Sequence, residues 1–445
     1  MRGFLASSIG VTCAAALALP LTLPAAAAPA SASASAARST SGARTASTTA
    51  APDLPGSTQS LPLTPRTRDR TLGAAPEQGL TRDDVHRFSL VGVTWSDPDT
   101  ELRGQVQVRT RATGTGEWSG WRDIDTHNED HGADPGTAER DSGHVHGSTA
   151  PLWVGDSDGV DVRVRADTAA TRTVGNTDEQ PSFLPTGLHL ELVDPGAAEA
   201  PAAGARPATT NRTATPRLAA TELPALSRQA TERELVAVGG KVQPYIGPRP
   251  RIVTRHGWGA DEKLREKGFV YTKKVKAAFV HHTATGNNYR CSQAPSVIRG
   301  IYRYHVKSSG WRDIGYNFLV DKCGTIYEGR AGGVAKAVMG AHTLGFNTNS
   351  MGIAVLGTFG SAKPSSAAVT AIAKLTAWKL GLYGVNPRGK TYLKSGGGNL
   401  YRKGKNVRLN VISGHRDGFA TECPGRQLYG KLGSARSTSA RYQGR

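Results

Sequence analysis

Hydrophobic and polar residues alternate with period two in three stretches between residues 83 and 195. Val106 and Val108 form one pair, Val160, Val162 and Val164 a second series, and Leu188, Leu190 and Leu192 a third. Successive side chains of a strand point to opposite faces, so this alternation predicts short, half-buried strands. Gly, Asp and Pro between the runs supply the turns. Trp95, Trp118, Trp121 and Trp153 give the stretch enough aromatic bulk for a core. A β-rich, sandwich-like domain over 83–195 is expected, with no role legible in its residues.

Downstream the period changes. Ala277-Ala278-Phe279-Val280 is a short continuous apolar run of the kind a buried strand needs. Ala294, Val297, Ile298, Ile301 and Tyr304 recur at helical spacing, and 367–382 is a second amphipathic helix. Residues 316–330 read as two strands around a turn at Lys322-Cys323-Gly324, and 351–359 as a third apolar strand. Strands interleaved with helices predict a layered α/β domain over 246–445, a central mixed sheet flanked by helices.

The remainder reads as leader and linker. Arg2, the apolar stretch 9–23 and the run of alanines at 25–28 match a secretory signal peptide over 1–28. The apolar stretch is short for a membrane span, so no permanent anchor is expected. Residues 29–82 are rich in Ala, Ser, Thr and Pro; together with 196–245 they are expected to be disordered linkers, too poor in apolar surface to offset their ordering entropy.

Charge divides unevenly. The chain carries 55 Lys and Arg against 36 Asp and Glu, a formal +19. Residues 246–445 account for +25 and the rest for −6. Outside the cell a basic domain is drawn to polyanions, so anionic wall polymers are candidate partners and nucleic acid is not expected. A soluble basic surface with no specific partner is the plainer reading.

Two segments carry chemistry. A strand ends on His281-His282, and Ser413-Gly414-His415-Arg416-Asp417 is followed by Thr421-Glu422-Cys423-Pro424-Gly425. One strand-end histidine with His415 and Cys423 makes a donor set suited to zinc, with three protein ligands and an open fourth position. A core histidine and a free buried thiol account for the same residues equally well. Between Asp125 and His146 lie His127, His131, His144 and His146. A metal site is one reading of them. Without regular ligand spacing, a solvated loop between strands is the expectation.

With these residues in view, the chain resembles the zinc-dependent N-acetylmuramoyl-L-alanine amidases of type 2, which include animal peptidoglycan recognition proteins and phage lysozyme-type amidases. The matching motifs run in order: His256-Gly257-Trp258-Gly259-Ala260, Val280-His281-His282-Thr283-Ala284, Gly310-Trp311-Arg312-Asp313-Ile314-Gly315-Tyr316-Asn317-Phe318 and Gly324-Thr325-Ile326-Tyr327-Glu328-Gly329-Arg330. Gly340-Ala341-His342, Asn349-Ser350-Met351-Gly352-Ile353 and the segment 413–425 complete them. The resemblance covers about 250–430. With its upstream β-rich domain, the arrangement is similar to that of secreted actinobacterial amidases. A second copy of Ser-Gly-Trp-Arg-Asp-Ile, at 119–124, lacks the Gly-Tyr-Asn-Phe that follows the first and is treated as coincidence.

The resemblance implies zinc held by His281, His415 and Cys423, and a catalytic role for Tyr316. It implies substrate contacts from His342, with Trp311 in the core or the groove wall. Thr421 stands where phage members carry a catalytic lysine and recognition-protein amidases a threonine. The implied reaction cuts the amide between N-acetylmuramic acid and L-alanine. The partners would be the stem peptide and glycan of peptidoglycan, and the protein a secreted monomer. A non-catalytic peptidoglycan-binding protein is the alternative. Export would remove Cys13 and leave three cysteines. With Cys423 on the metal, Cys291 and Cys323 are expected to pair, as is usual in an oxidising compartment; two free thiols are the alternative.

Overall fold

The computed structural model describes residues 56–66, 76–126, 130–167, 184–196 and 220–445, all within one compact unit, Ala51–Arg445. The signal peptide, His127, most of the first linker and 197–219 of the second lie outside the described residues.

The alternating valines form one face of a ladder. Strand Gly104–Ala112 runs antiparallel to the long strand Leu152–Ala166, pairing Val106 with Val164 and Val108 with Val162. All four are fully buried, so the period-two pattern becomes stacked cross-strand pairs on the core side. The first half of Leu152–Ala166 pairs instead with Phe88–Trp95, whose other edge takes His189–Val193. One long strand thus joins the parts of a nine-stranded antiparallel sheet.

That sheet begins earlier than expected. Thr58–Pro62 pairs along the whole of His189–Val193, and Glu77–Arg82 along Leu152–Ala166. Both strands fall in 29–82, where composition predicted linker. They succeed because they are sheet members whose apolar contribution is small: Leu61, Leu63 and Leu80 suffice against a core built by other strands.

The second domain is a seven-stranded mixed sheet with helices packed on it, as the interleaved pattern requires. Ala277–His282 lies one in from the edge strand Ile412–Gly414, parallel to it on one side and to Ser350–Val355 on the other, and is buried at every position. Phe318–Val320 and Ile326–Glu328 form the hairpin, in which Asp321 Oδ1 accepts from Cys323 N and Thr325 N, both at 2.9 Å. Helix Ala294–Arg303 has a proline in its first turn and packs Val297, Ile298 and Ile301 inward. Helix Ser366–Gly381 starts where the Ser365 hydroxyl accepts from Ala368 N at 3.1 Å. Cys291 and Cys323 form a disulfide, tying the start of the first helix to the hairpin turn.

Part of the expected second linker is also structured. Glu222–Leu223 adds to the edge of the mixed sheet beside Ile252–Val253. Helix Arg228–Ala237 follows, capped by Ser227. It buries Thr231, and Glu234 pairs with Arg249. This helix is held by polar contacts, which apolar periodicity cannot reveal.

The two domains share a core. Leu90, Trp153 and Val193 of the first pack with Val297, Ile301 and Tyr304 of the second. Tyr304 Oη lies 3.0 Å from Thr149 O and 3.3 Å from Val93 O, where it donates. Gly92 faces this ring so closely that a Cβ there would sit 2.4 Å from the phenol oxygen. Ser308 Oγ donates to Glu191 Oε2 at 2.9 Å. The upstream domain is therefore docked on the downstream one through buried contacts. Among the described residues, no helix is long and apolar enough to cross a membrane.

Candidate metal centre

In open α/β sheets, functional groups gather at the carboxyl ends of the strands. Two neighbouring parallel strands end here on chemistry. His281 lies near the end of Ala277–His282, and His415 directly follows Ile412–Gly414. A single 3₁₀ turn after His415 returns the chain, and Arg416 N donates to Cys423 O at 3.0 Å, closing the loop. That loop aims Cys423 at the histidines.

The donor atoms converge. His281 Nδ1 lies 3.1 Å from His415 Nδ1 and 3.8 Å from Cys423 Sγ. Zinc bonds of about 2.0–2.1 Å to nitrogen and 2.3 Å to sulfur, set tetrahedrally, space N–N donors at roughly 3.3 Å and N–S donors at roughly 3.6 Å. The observed separations fit that geometry. All three residues are buried. Burial pushes the His415 imidazole down to about 3, and the His281 imidazole well below its ordinary value. Both rings are therefore neutral near pH 7, with a lone pair for a metal. Burial also pushes the Cys423 thiol up, and the Asp130 charge adds to this.

The cluster holds a fourth residue. Donor atoms of His131, His281, His415 and Cys423 all lie within 4.8 Å of one another. His131 comes from the upstream domain, in the segment expected to be a solvated loop. It is buried instead, with its ring centroid 4.6 Å from that of His415 and 5.3 Å from that of His281. His144 and His146, from the same run, are exposed. The Asp130 carboxylate lies 2.7 Å from His131 Nδ1, and His131 Nε2 is buried without a hydrogen-bond partner. A carboxylate on one ring nitrogen with the other left bare is the usual setting of a metal-bound histidine.

The other expected site residues surround this cluster. Tyr316 is buried with its ring 5.5 Å from that of His281; burial and the Cys423 and Asp130 charges push its phenol well up, so it stays a hydrogen-bond donor. Thr421 Oγ1 accepts from Cys423 N at 3.1 Å and its hydroxyl also engages Asp130. His342 is not on an open groove wall. It is fully buried behind His281, with Nδ1 3.3 Å from His281 Nε2. Ser350–Val355 and Phe279 pack around it too closely for it to face solvent: a Cβ on Gly352 would meet its ring at 2.4 Å. Trp311 is buried against His305, ring centroids 4.3 Å apart, and beneath Gly132 of the upstream domain.

The fold is an α/β sheet whose strand ends carry a buried cluster that could hold a metal ion, and comparison with known proteins places the chain in a family. Residues 271–426 match the N-acetylmuramoyl-L-alanine amidase family. Residues 43–185 match the family described as Rv3811 N-terminal galactose-binding domain-like. Peptidoglycan-recognition protein SC2 of Drosophila simulans is 31% identical over 183 residues, which are 41% of this chain and 84% of that protein. Peptidoglycan-recognition protein SC1a of Drosophila melanogaster is 33% identical over 192 residues, 42% and 87% of the two chains. The solved structure of Drosophila PGRP-LB is similar at 25% identity and a TM-score of 0.33, covering 41% of this chain and 92% of that one. The chain belongs to the type 2 amidase and peptidoglycan recognition protein family, and its function is peptidoglycan-related amidase or recognition chemistry.

Proposed function

We propose that the chain is a secreted, zinc-dependent N-acetylmuramoyl-L-alanine amidase. The observation that carries this reading is the convergence of His281, His415 and Cys423 at separations suited to zinc. Zinc bound there supplies Lewis-acid polarisation of the scissile carbonyl and makes water nucleophilic near neutral pH. The chain's own groups do the rest. Tyr316, held protonated by burial, donates to the oxygen that gains charge as the carbonyl carbon becomes tetrahedral. Thr421 steadies the Cys423 loop through the Cys423 N–H. His342 holds the far edge of the His281 ring and so acts as a positioning residue. Water adds to the carbonyl carbon, the carbon–nitrogen bond breaks as one water proton passes to the departing nitrogen, and the second proton is released as the new acid ionises and is taken up by the amine. The products are a lactyl carboxylate on muramic acid and a free L-alanine amino end.

The substrate is peptidoglycan, stem peptide and glycan together, and the basic downstream domain suits anionic wall polymers. The relatives' names favour a recognition protein that binds without cutting. Three metal donors at zinc spacing have no use in such a module. The test is prolonged incubation of the full chain, at stoichiometric amounts, with soluble muropeptide. New L-alanine amino ends should appear, and should be absent with Cys423→Ala. Cleavage elsewhere in the stem peptide, or undiminished cleavage by Cys423→Ala, would overturn the reading.

A further inference from the structure

The upstream domain does more than dock beside the metal centre. A segment of it, 130–146, runs across the centre and is fastened at several points. Leu344 N donates to Asp130 O at 2.9 Å, and Asn347 Nδ2 donates to Gly132 O at 2.8 Å. Asp134 Oδ1 accepts from Gly345 N at 2.8 Å and Asn347 Nδ2 at 2.6 Å. Glu139 forms a two-bond ion pair with Arg330, 2.8 Å at each oxygen, with both side chains buried. His146 N donates to Ser309 O at 3.1 Å. These partners all belong to the downstream domain. The bonds to the Glu139 carboxylate, and the ion pair it makes with Arg330, are charge-assisted and buried, the strong kind.

The consequence is a closed centre. The space left against the cluster is about 10 Å³, walled by Asp125, His131 and Ala150 from upstream and by Tyr316, Thr421 and Cys423 from downstream. That is about one water, and no peptide or sugar fits it. His131 is the element that touches the donor set itself. Its bare Nε2 and its carboxylate-backed Nδ1 suit a ligand, and its place within 4.8 Å of the other donors puts it within reach of a shared ion. Three ligands and an open position mark a catalytic zinc; four protein ligands mark a closed one.

We propose that His131 is a fourth metal ligand supplied by the upstream domain, and that segment 130–146 holds the enzyme in a latent, substrate-excluding state. The inference rests on the zinc reading of His281, His415 and Cys423. Cleavage then requires the segment to withdraw, which opens the coordination position and the groove together. The upstream domain is a built-in cover, and its release is the regulated event. The apparent activity of the full chain is set by the fraction of molecules with the segment withdrawn.

The test reads the metal as well as the reaction. The full chain is loaded with zinc for X-ray absorption, and with cobalt(II) for visible spectroscopy, as wild type, His131→Ala and His131→Gln. Wild type should show three imidazoles and one sulfur, and a cobalt spectrum that added azide leaves unchanged. The variants should show two imidazoles, one sulfur and one exchangeable oxygen, with a spectrum that azide shifts. Muropeptide release should rise at least roughly tenfold in the variants, as the closed population falls. Two imidazoles and an exchangeable oxygen in wild type would overturn the fourth ligand while leaving the zinc reading intact. Three imidazoles in wild type with no faster release from either variant would overturn latency. No metal in any of the proteins would overturn this inference and the zinc reading together. The wild-type spectra need no variant to fold, and the conservative His131→Gln guards the comparison.

Discussion

The candidate metal centre is assembled from two unlike regions. His281, His415 and Cys423 hang on the ends of two adjacent parallel strands and a short loop, fixed by strands whose residues are buried throughout. Asp130 and His131 arrive on an irregular segment of another domain, held by hydrogen bonds and one ion pair rather than by a ladder. The first region can be rigid without the second. On the proposed reading, ligation and access are separable: the strands would supply the chemistry, and the segment would decide whether anything reaches it.

The largest effect is expected at Glu139. Glu139→Ala leaves Arg330 buried and unpaired, which typically costs about 3–5 kcal/mol. The cost falls on the docked segment, since its withdrawal lets Arg330 reach water. Hydrogen exchange should therefore speed up over 130–146 while the strands Ala277–His282 and Ser350–Val355 stay protected. Equal loss of protection in both regions would mean that the segment is structural support and not a cover.

Tyr316→Phe acts on the strand side. Removing a donor aimed at a developing oxyanion costs about 100–1000-fold in kcat. Zinc content and KM should be unchanged. A loss confined to KM would assign Tyr316 to binding.

Gly92→Ala tests the docking of the two domains. The added methyl meets the Tyr304 ring, and overpacking of this kind costs roughly 1–3 kcal/mol. A lowered Tm with a loosened domain interface is expected. An unchanged Tm would show that Tyr304 moves aside freely.

The smallest effect is expected at Ser365, remote from both regions. Ser365→Ala removes the cap of helix Ser366–Gly381 and should cost about 1 kcal/mol, with zinc binding and cleavage unaltered.

The same division explains what could be read from sequence. Residues whose neighbours in the chain are also their neighbours in the sheet were legible. The alternating valines near 106 and 160, the apolar run before His281 and the helix at 294–303 announce themselves by period. The strand-borne donors were legible because each sits in a motif. His131 was not: its partners are 150 to 292 residues away in sequence, and ligand spacing along the chain has no meaning for a site closed across a domain boundary. The one available signal was the density of His and Asp between Asp125 and His146, which spacing alone could not distinguish from a solvated loop. Thr58–Pro62 and helix Arg228–Ala237 were hidden for a related reason. Their stability comes from partners elsewhere, so their composition looks like linker.

The zinc donor set is the feature to test first. Zinc stoichiometry and affinity should be measured on the full chain by competition with a chromogenic chelator, for wild type and Cys423→Ser. One zinc per chain is expected in wild type. Loss of the sulfur ligand should weaken binding by more than the roughly 10–100-fold that an outer-shell partner costs. A wild-type chain that binds no zinc, or a Cys423→Ser chain that binds it equally well, would contradict the account.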